Sequence, residues 1–163
     1  MTDTAQTTDK AANHDQEGGL IALAHKALSL ANRIPHGFII LFVRLGIAGI
    51  FFRSARTKVD GFTITDSTFY LFEEEYKVPV IPPDIAAYLA TTAEHVFPVL
   101  LVLGIASRLS AGALLGMTMV IQLFVYPNLW PDHALWAGAL LYIIARGPGP
   151  FALDHLIAKK FGS

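Results

Sequence analysis

The sequence predicts an all-α protein: a four-helix transmembrane bundle preceded by an interfacial amphipathic helix. Three observations carry the prediction. Of 163 residues, 53% are hydrophobic and only 15% charged, where an average soluble domain has about 25% charged residues, and the mean hydropathy is +0.49. The apolar residues gather in four stretches, each near the ~20 residues that a membrane-crossing helix needs. Clusters of Pro, Gly and Asn, which cannot continue a helix, stand between the stretches. The net charge of −1 argues against a nucleic-acid partner, because phosphate neutralisation requires a basic surface. The lack of cysteine excludes disulfides, thiolate nucleophiles, Cys-ligated zinc and iron–sulfur clusters.

Residues 1–18 are polar and show no apolar periodicity, so they are expected to form a disordered tail. Their acidic, Thr-rich composition lacks the basic start and apolar core of a secretory signal. Residues 19–33 change character. Leu20, Leu23, Ala24, Ala27, Leu28 and Ala31 share one helical face, with His25, Lys26, Ser29, Asn32 and Arg33 opposite. The segment is too polar and short to span, which makes it an interfacial helix; the competing reading is a soluble helix docked on a partner.

The four-helix domain occupies 34–146, with helices expected at 34–53, 85–105, 109–126 and 130–145. The last is the shortest, and its alternative is a buried re-entrant segment. Pro82-Pro83-Asp84 suits the start of the second helix, since proline fits the first turn and an acid favours the N-terminal dipole. Gly104 and Arg108 mark a tight turn, and Arg146-Gly147-Pro148-Gly149-Pro150 stops the fourth helix. Within the outer connection 57–84, Asp66 or Ser67 is placed to cap a short amphipathic helix over TFYLFEEEY. Phe69, Phe72 and Tyr76 would face the bundle and Glu73, Glu74 and Glu75 the water. The closing segment 147–163 includes a second short interfacial helix at 151–161. With four spans, seven Lys/Arg fall on the side of the termini and four on the other, so the termini are expected in the cytoplasm.

Charges inside a bilayer are the informative exceptions. Arg44 lies nine residues before Arg53 and Glu94 ten after Asp84, which places both roughly 13–15 Å below the outer helix ends. The matching depth on adjacent antiparallel helices predicts an Arg44–Glu94 ion pair, either a register-fixing contact or part of a polar pocket with Thr91 and His95. Pro98 frees a backbone carbonyl near that carboxylate. Arg53, Arg56 and Lys58 follow the first helix and read as a snorkelling interfacial anchor; if that helix continues, Lys58, fourteen residues after Arg44, would add positive charge to the same face. Di-His haem finds no histidine pair at matching depth among His36, His95 and His133, so haem is disfavoured. Met117 and Met119 face different ways and make a weak copper site. Gly112 and Gly116 form a GxxxG that lets helices approach closely, within the chain or in a homo-oligomer.

These residues resemble the DoxX family of small integral membrane proteins. The resemblance rests on VRLGIAGIFFRSARTKV with Arg44, Gly49, Phe52 and Lys58, and on Tyr76-Lys77-Val78-Pro79. It continues through Glu94 followed by LLVLGIASRLSAG with Arg108, and through RGPGPFALDH with Gly147, Gly149, Leu153 and Asp154. It covers about 36–156 and departs from the common pattern at Ala152, where a Ser is frequent. It implies a bundle in the bacterial inner membrane. It also implies a non-catalytic subunit or accessory of a redox or metal/oxidative-stress system, in contact with the lipid bilayer and with other membrane or redox proteins. Relatives include a quinone-linked oxidoreductase subunit; the cofactor itself stays open, with quinone or a lipid-like ligand between the first two helices as the candidate. The alternatives are a small transporter using the Arg44–Glu94 pair, or a membrane enzyme acting on a lipophilic substrate with Glu94 as acid or base.

Overall fold

The computed structural model describes Gly19 and residues 21–161; the tail expected at 1–18 lies outside the described residues. The chain divides into two units, Met1–His36 and Gly37–Ser163. In the first, helix α1 covers Ile21–Ala31.

The second unit is built on four long helices: α2 (His36–Arg56), α4 (Pro83–Leu103), α5 (Ser107–Val120) and α6 (Trp130–Arg146). Between α2 and α4 come the short strands β1 (Val59–Asp60) and β2 (Thr63–Ile64) and helix α3 (Asp66–Leu71). A π-helical turn, Phe72–Tyr76, continues α3, another, Ile121–Val125, continues α5, and α7 (Leu153–Phe161) ends the described chain. Among the described residues the protein is all-α apart from the two-residue strands.

The core is drawn from all four long helices: Ile40, Ile47, Ala48 and Phe51 of α2, Leu101 of α4, Ala111 and Leu114 of α5, Leu140 and Ile143 of α6. The α2 positions recur at seven, eight and eleven residues from Ile40, one stripe of a 3.6-residue period. The opposite stripes are apolar too. Phe42, Leu109 and Leu135 are each more than 70% exposed within the chain, a surface that water penalises and lipid accepts. Three segments, His36–Arg56, Pro83–Leu103 and Ser107–Val125, are long and apolar enough to cross a membrane. Helix α6, at 17 residues, is about 25 Å long, below the ~30 Å hydrocarbon thickness.

Two local features differ from the sequence expectation. Thr65, not Asp66 or Ser67, is the N-cap residue of α3, and its hydroxyl contacts those of Ser67 and Thr68 rather than a backbone N–H. The stretch ahead of it is a hairpin, with Val59 paired to Ile64 and Asp60 to Thr63. The two-residue loop is Gly61-Phe62, and Gly61 takes a φ of +60° at its first position, where glycine is favoured. As expected, Phe72 is buried, Phe69 and Tyr76 pack beside it against Ala86 and Ala87 of α4, and Glu73, Glu74 and Glu75 are exposed.

Candidate functional site

Arg44 and Glu94 are both buried, but they do not pair, which corrects the contact expected from their depths. The hydroxyl of Ser54, near the end of α2, donates to Glu94 Oε1 at 3.3 Å, so Ser54 is the α2 residue at the level of the carboxylate. Arg44 lies ten residues further back along α2, about 15 Å at 1.5 Å per residue. There it meets the C-terminal end of α4. Its guanidinium donates to the carbonyls of Leu101 (2.8 Å), Val102 (2.9 Å), Pro148 (2.9 Å) and Phe151 (3.3 Å). Helix C-termini present unpaired carbonyls and partial negative charge, which a cation satisfies. Arg44 therefore ties α2, the end of α4 and the 147–152 segment together.

The family-motif residues of the C-terminal segment serve the same junction. Asp154 accepts from the N–H groups of Ala106 and Ser107, each at 2.9 Å, and from the Ser107 hydroxyl at 3.1 Å. It thereby caps the start of α5 from the beginning of α7. Burial pushes the Asp154 carboxyl up, but these donors and the Arg44 charge outweigh it and hold the group below the usual aspartate value. Gly104 (φ +73°) and Gly149 (φ +78°) sit in left-handed turns, and a Cβ on either would strike Ala152 or Ile40. Arg108 lies against Gly147, 3.3 Å from where a Cβ there would stand.

Glu94 has a different cation. Lys58 Nζ donates to Glu94 Oε2 at 2.7 Å and to Ser54 Oγ at 2.9 Å, and both charged side chains are more than 90% buried. The Lys58 backbone is fixed for this by its carbonyl, which accepts from the Thr65 N–H (3.1 Å) and the Thr68 hydroxyl (2.9 Å). The hairpin thus folds the chain after α2 so that Lys58 points back among the helices.

This ion pair forms one wall of a cavity of about 470 Å³, within the ~300–1,000 Å³ of small-molecule sites. The cavity reaches further than the space expected between the first two long helices. Phe51 and Ser54 of α2, Leu89 and Ala93 of α4, Met117 and Val120 of α5 and Trp136 of α6 all line it, with Phe72 and Tyr76 of the outer π-turn. Its lining is mainly apolar, and the polar groups are few: the Lys58–Ser54–Glu94 cluster, Tyr76, Tyr126 and His133. Tyr126 donates to Glu75 Oε1 at 2.5 Å and its ring meets Tyr76 edge-on, with centroids 5.7 Å apart. The Glu75 contact, with burial and Tyr76, pushes the Tyr126 phenol well above its ordinary pKa, and burial also raises Tyr76.

Of the expected site residues, Lys58, Glu94 and Tyr76 line this cavity, whereas Arg44, Thr91, His95 and Pro79 do not. His95 turns its Nδ1 to the Thr91 carbonyl at 2.8 Å and its ring to Phe52. Thr91 is buried with its hydroxyl lacking a hydrogen-bond partner. The sequence reading missed Ser54, Trp136 and the role of His133. Ser54 could have been found from its position four residues before Lys58, the i, i+4 neighbour on a helical face.

A helical protein whose exposed surface is apolar and whose interior holds a buried ion pair has the character of an integral membrane protein. The DoxX family model matches residues 39–127, and the chain belongs to that family. It is similar to an uncharacterized protein of Haemophilus influenzae, 29% identical over 141 residues, covering 78% of this chain and 89% of that protein. No solved structure matches the chain.

Proposed function

We propose that this DoxX-family protein is a non-catalytic inner-membrane subunit or accessory of a redox or oxidative-stress system that holds a lipophilic, oxygen-bearing ring ligand of the quinone class in the 470 Å³ cavity. The observation that carries the reading is the lining itself: an apolar chamber with the Lys58–Ser54–Glu94 cluster on one wall and His133 on the α6 side. A substituted ring with carbonyl or hydroxyl oxygens at both ends fits that arrangement: its body is apolar, and both poles take or give hydrogen bonds. When bound, such a group supplies reversible electron and proton carriage. The protein's own residues exclude water, orient the ring between Phe51, Leu89 and Trp136, and meet its oxygens.

The same reading completes the membrane topology. Helices α2, α4 and α5 cross the bilayer. Helix α6 joins them as a fourth, shorter member, since Leu140 and Ile143 share their core. The 147–161 segment is read as lying at the cytoplasmic interface, a reading that the excess of Lys and Arg supports. Gly112 and Gly116 have no atom within 4 Å of where a Cβ would stand, which leaves room for a second copy there. The transporter reading rested on an Arg44–Glu94 pair and loses that basis.

The test is direct. Protein extracted in mild detergent from a bacterial membrane is expected to carry quinone detectable by mass spectrometry of its organic extract, at a stoichiometry that falls in Glu94→Leu. Wild-type protein purified without quinone, and failing to take it up from quinone-loaded vesicles, would end the proposal.

A further inference from the structure

The cavity holds a histidine whose proton placement is decided by its neighbours. Gln122 Nε2 donates to the Pro127 carbonyl at 2.9 Å, which turns Gln122 Oε1 toward His133. His133 Nδ1 stands 2.7 Å from that oxygen. An amide oxygen only accepts, so Nδ1 carries a hydrogen in either charge state of the ring. Every change of protonation at His133 is therefore confined to Nε2.

Among the described residues no hydrogen bond reaches His133 Nε2, and its absence from the sealed, partnerless atoms means that it is accessible. The buried polar side-chain atoms without a partner among the described residues are Thr91 Oγ1 and Ser110 Oγ, and Nε2 is not one of them. The ring is 3% exposed, lines the 470 Å³ cavity, and is wedged against Trp136 with centroids 5.0 Å apart. Trp136 is itself held edge-on to Phe51 at 5.7 Å. The ring is thus held by Gln122 and by Trp136 on the wall of the chamber it lines, and Nε2 is the nitrogen it has left for a ligand there.

We infer that His133 is the cavity's hydrogen-bond group on the α6 side, a positioning residue whose Nε2 accepts from a ring hydroxyl while its Nδ1–H is held by Gln122. The inference rests on the proposed ligand class and adds the residue that selects for oxygen on the α6 side. Lys58, already committed to Ser54 and Glu94, cannot supply this acceptor.

The experiment is an anaerobic titration of detergent-solubilised protein with duroquinol, duroquinone and the oxygen-free ring durene. It is read by Trp136 emission in a Trp130→Phe background, which leaves one of the two tryptophans. His133→Asn keeps a donor at the Nδ1 position and removes Nε2, whereas His133→Gln keeps a polar group near the Nε2 position. The expected result is that His133→Asn weakens duroquinol binding about fivefold or more, the scale of one hydrogen bond. His133→Gln should recover part of this, and durene affinity should change little. Equal duroquinol affinity in wild type and His133→Asn would overturn the inference alone. Wild-type protein that binds none of the three rings would overturn it together with the proposed function.

Discussion

Lys58 Nζ and Glu94 Oε2 meet at 2.7 Å, both buried, with the Ser54 hydroxyl joining them. The contact links the hairpin side of α2 to the middle of α4 and places an ion pair at the edge of an apolar chamber. Two charges so placed are costly separately and tolerable together, because each removes the other's unpaired burial.

That dependence makes a mutational series decisive. Lys58→Met alone leaves Glu94 as an uncompensated buried charge and should cost about 3–5 kcal/mol. Lys58→Met with Glu94→Leu removes both charges and should recover most of the loss while abolishing quinone retention. Thermal unfolding in detergent with extraction of bound lipid checks both halves. Swapping Arg44 and Glu94 should not restore stability, because the two do not touch.

Arg44 is a brace for backbone carbonyls. Arg44→Lys keeps the charge but not the planar fork that reaches four acceptors. It should destabilise by about 2–3 kcal/mol, the scale of lost charged hydrogen bonds, and expose the 147–152 segment to protease. Limited proteolysis in detergent would show new cleavage there, with Lys58–Glu94 substitutions as the comparison.

Asp154 sets an acid limit on that junction. Its folded pKa is lowered, with burial opposed by the Ser107 and Ala106 donors and Arg44. The stabilisation is therefore complete above the ordinary aspartate value of about 3.9 and is lost as pH falls through the lower folded value. Asp154→Asn should lower the unfolding temperature at pH 7 and flatten its decline in acid. A melting series from neutral pH into strong acid measures both slopes.

Glycine replacements should split into two groups. Gly149→Ala forces a Cβ into Ile40 at a φ of +78°, and Gly104→Ala forces one onto Ala152; each should cost more than about 1 kcal/mol. Gly112→Ala meets open space within the chain and should leave the monomer's stability unchanged or slightly raised. Any effect at Gly112 should appear instead as a shift in mass by light scattering, the signature of a second copy.

Tyr126→Phe removes the hydrogen bond to Glu75 across the cavity mouth. The expected loss is about 1 kcal/mol, seen as faster hydrogen exchange over 72–76 and faster ligand release, with the core helices unchanged. Because the Tyr126 phenol is raised, the latch is complete below the ordinary tyrosine value of about 10 and loosens only as pH rises through the higher folded value.

Much of this was present in the one-dimensional pattern. Apolar runs, Pro82-Pro83-Asp84 and RGPGP determined four helices and their ends within a few residues, because hydrophobic periodicity and backbone stop signals are local. The burial of Arg44 and Glu94 among lipophilic neighbours was also legible, since charges inside apolar runs must turn inward; that of Lys58, beyond the end of α2, was not. The partners were not. Counting from helix ends equated the depths of Arg44 and Glu94, and their counts from the observed ends still nearly match, but α2 and α4 are staggered along one another. Ser54 therefore faces Glu94, and Arg44 falls beside the carbonyls that end α4. The sliding of one helix past another is set by side chains interlocking across the core, as Phe51 does with Trp136. No local pattern encodes that register, so only the tertiary structure decided which charge meets which and where the chamber opens.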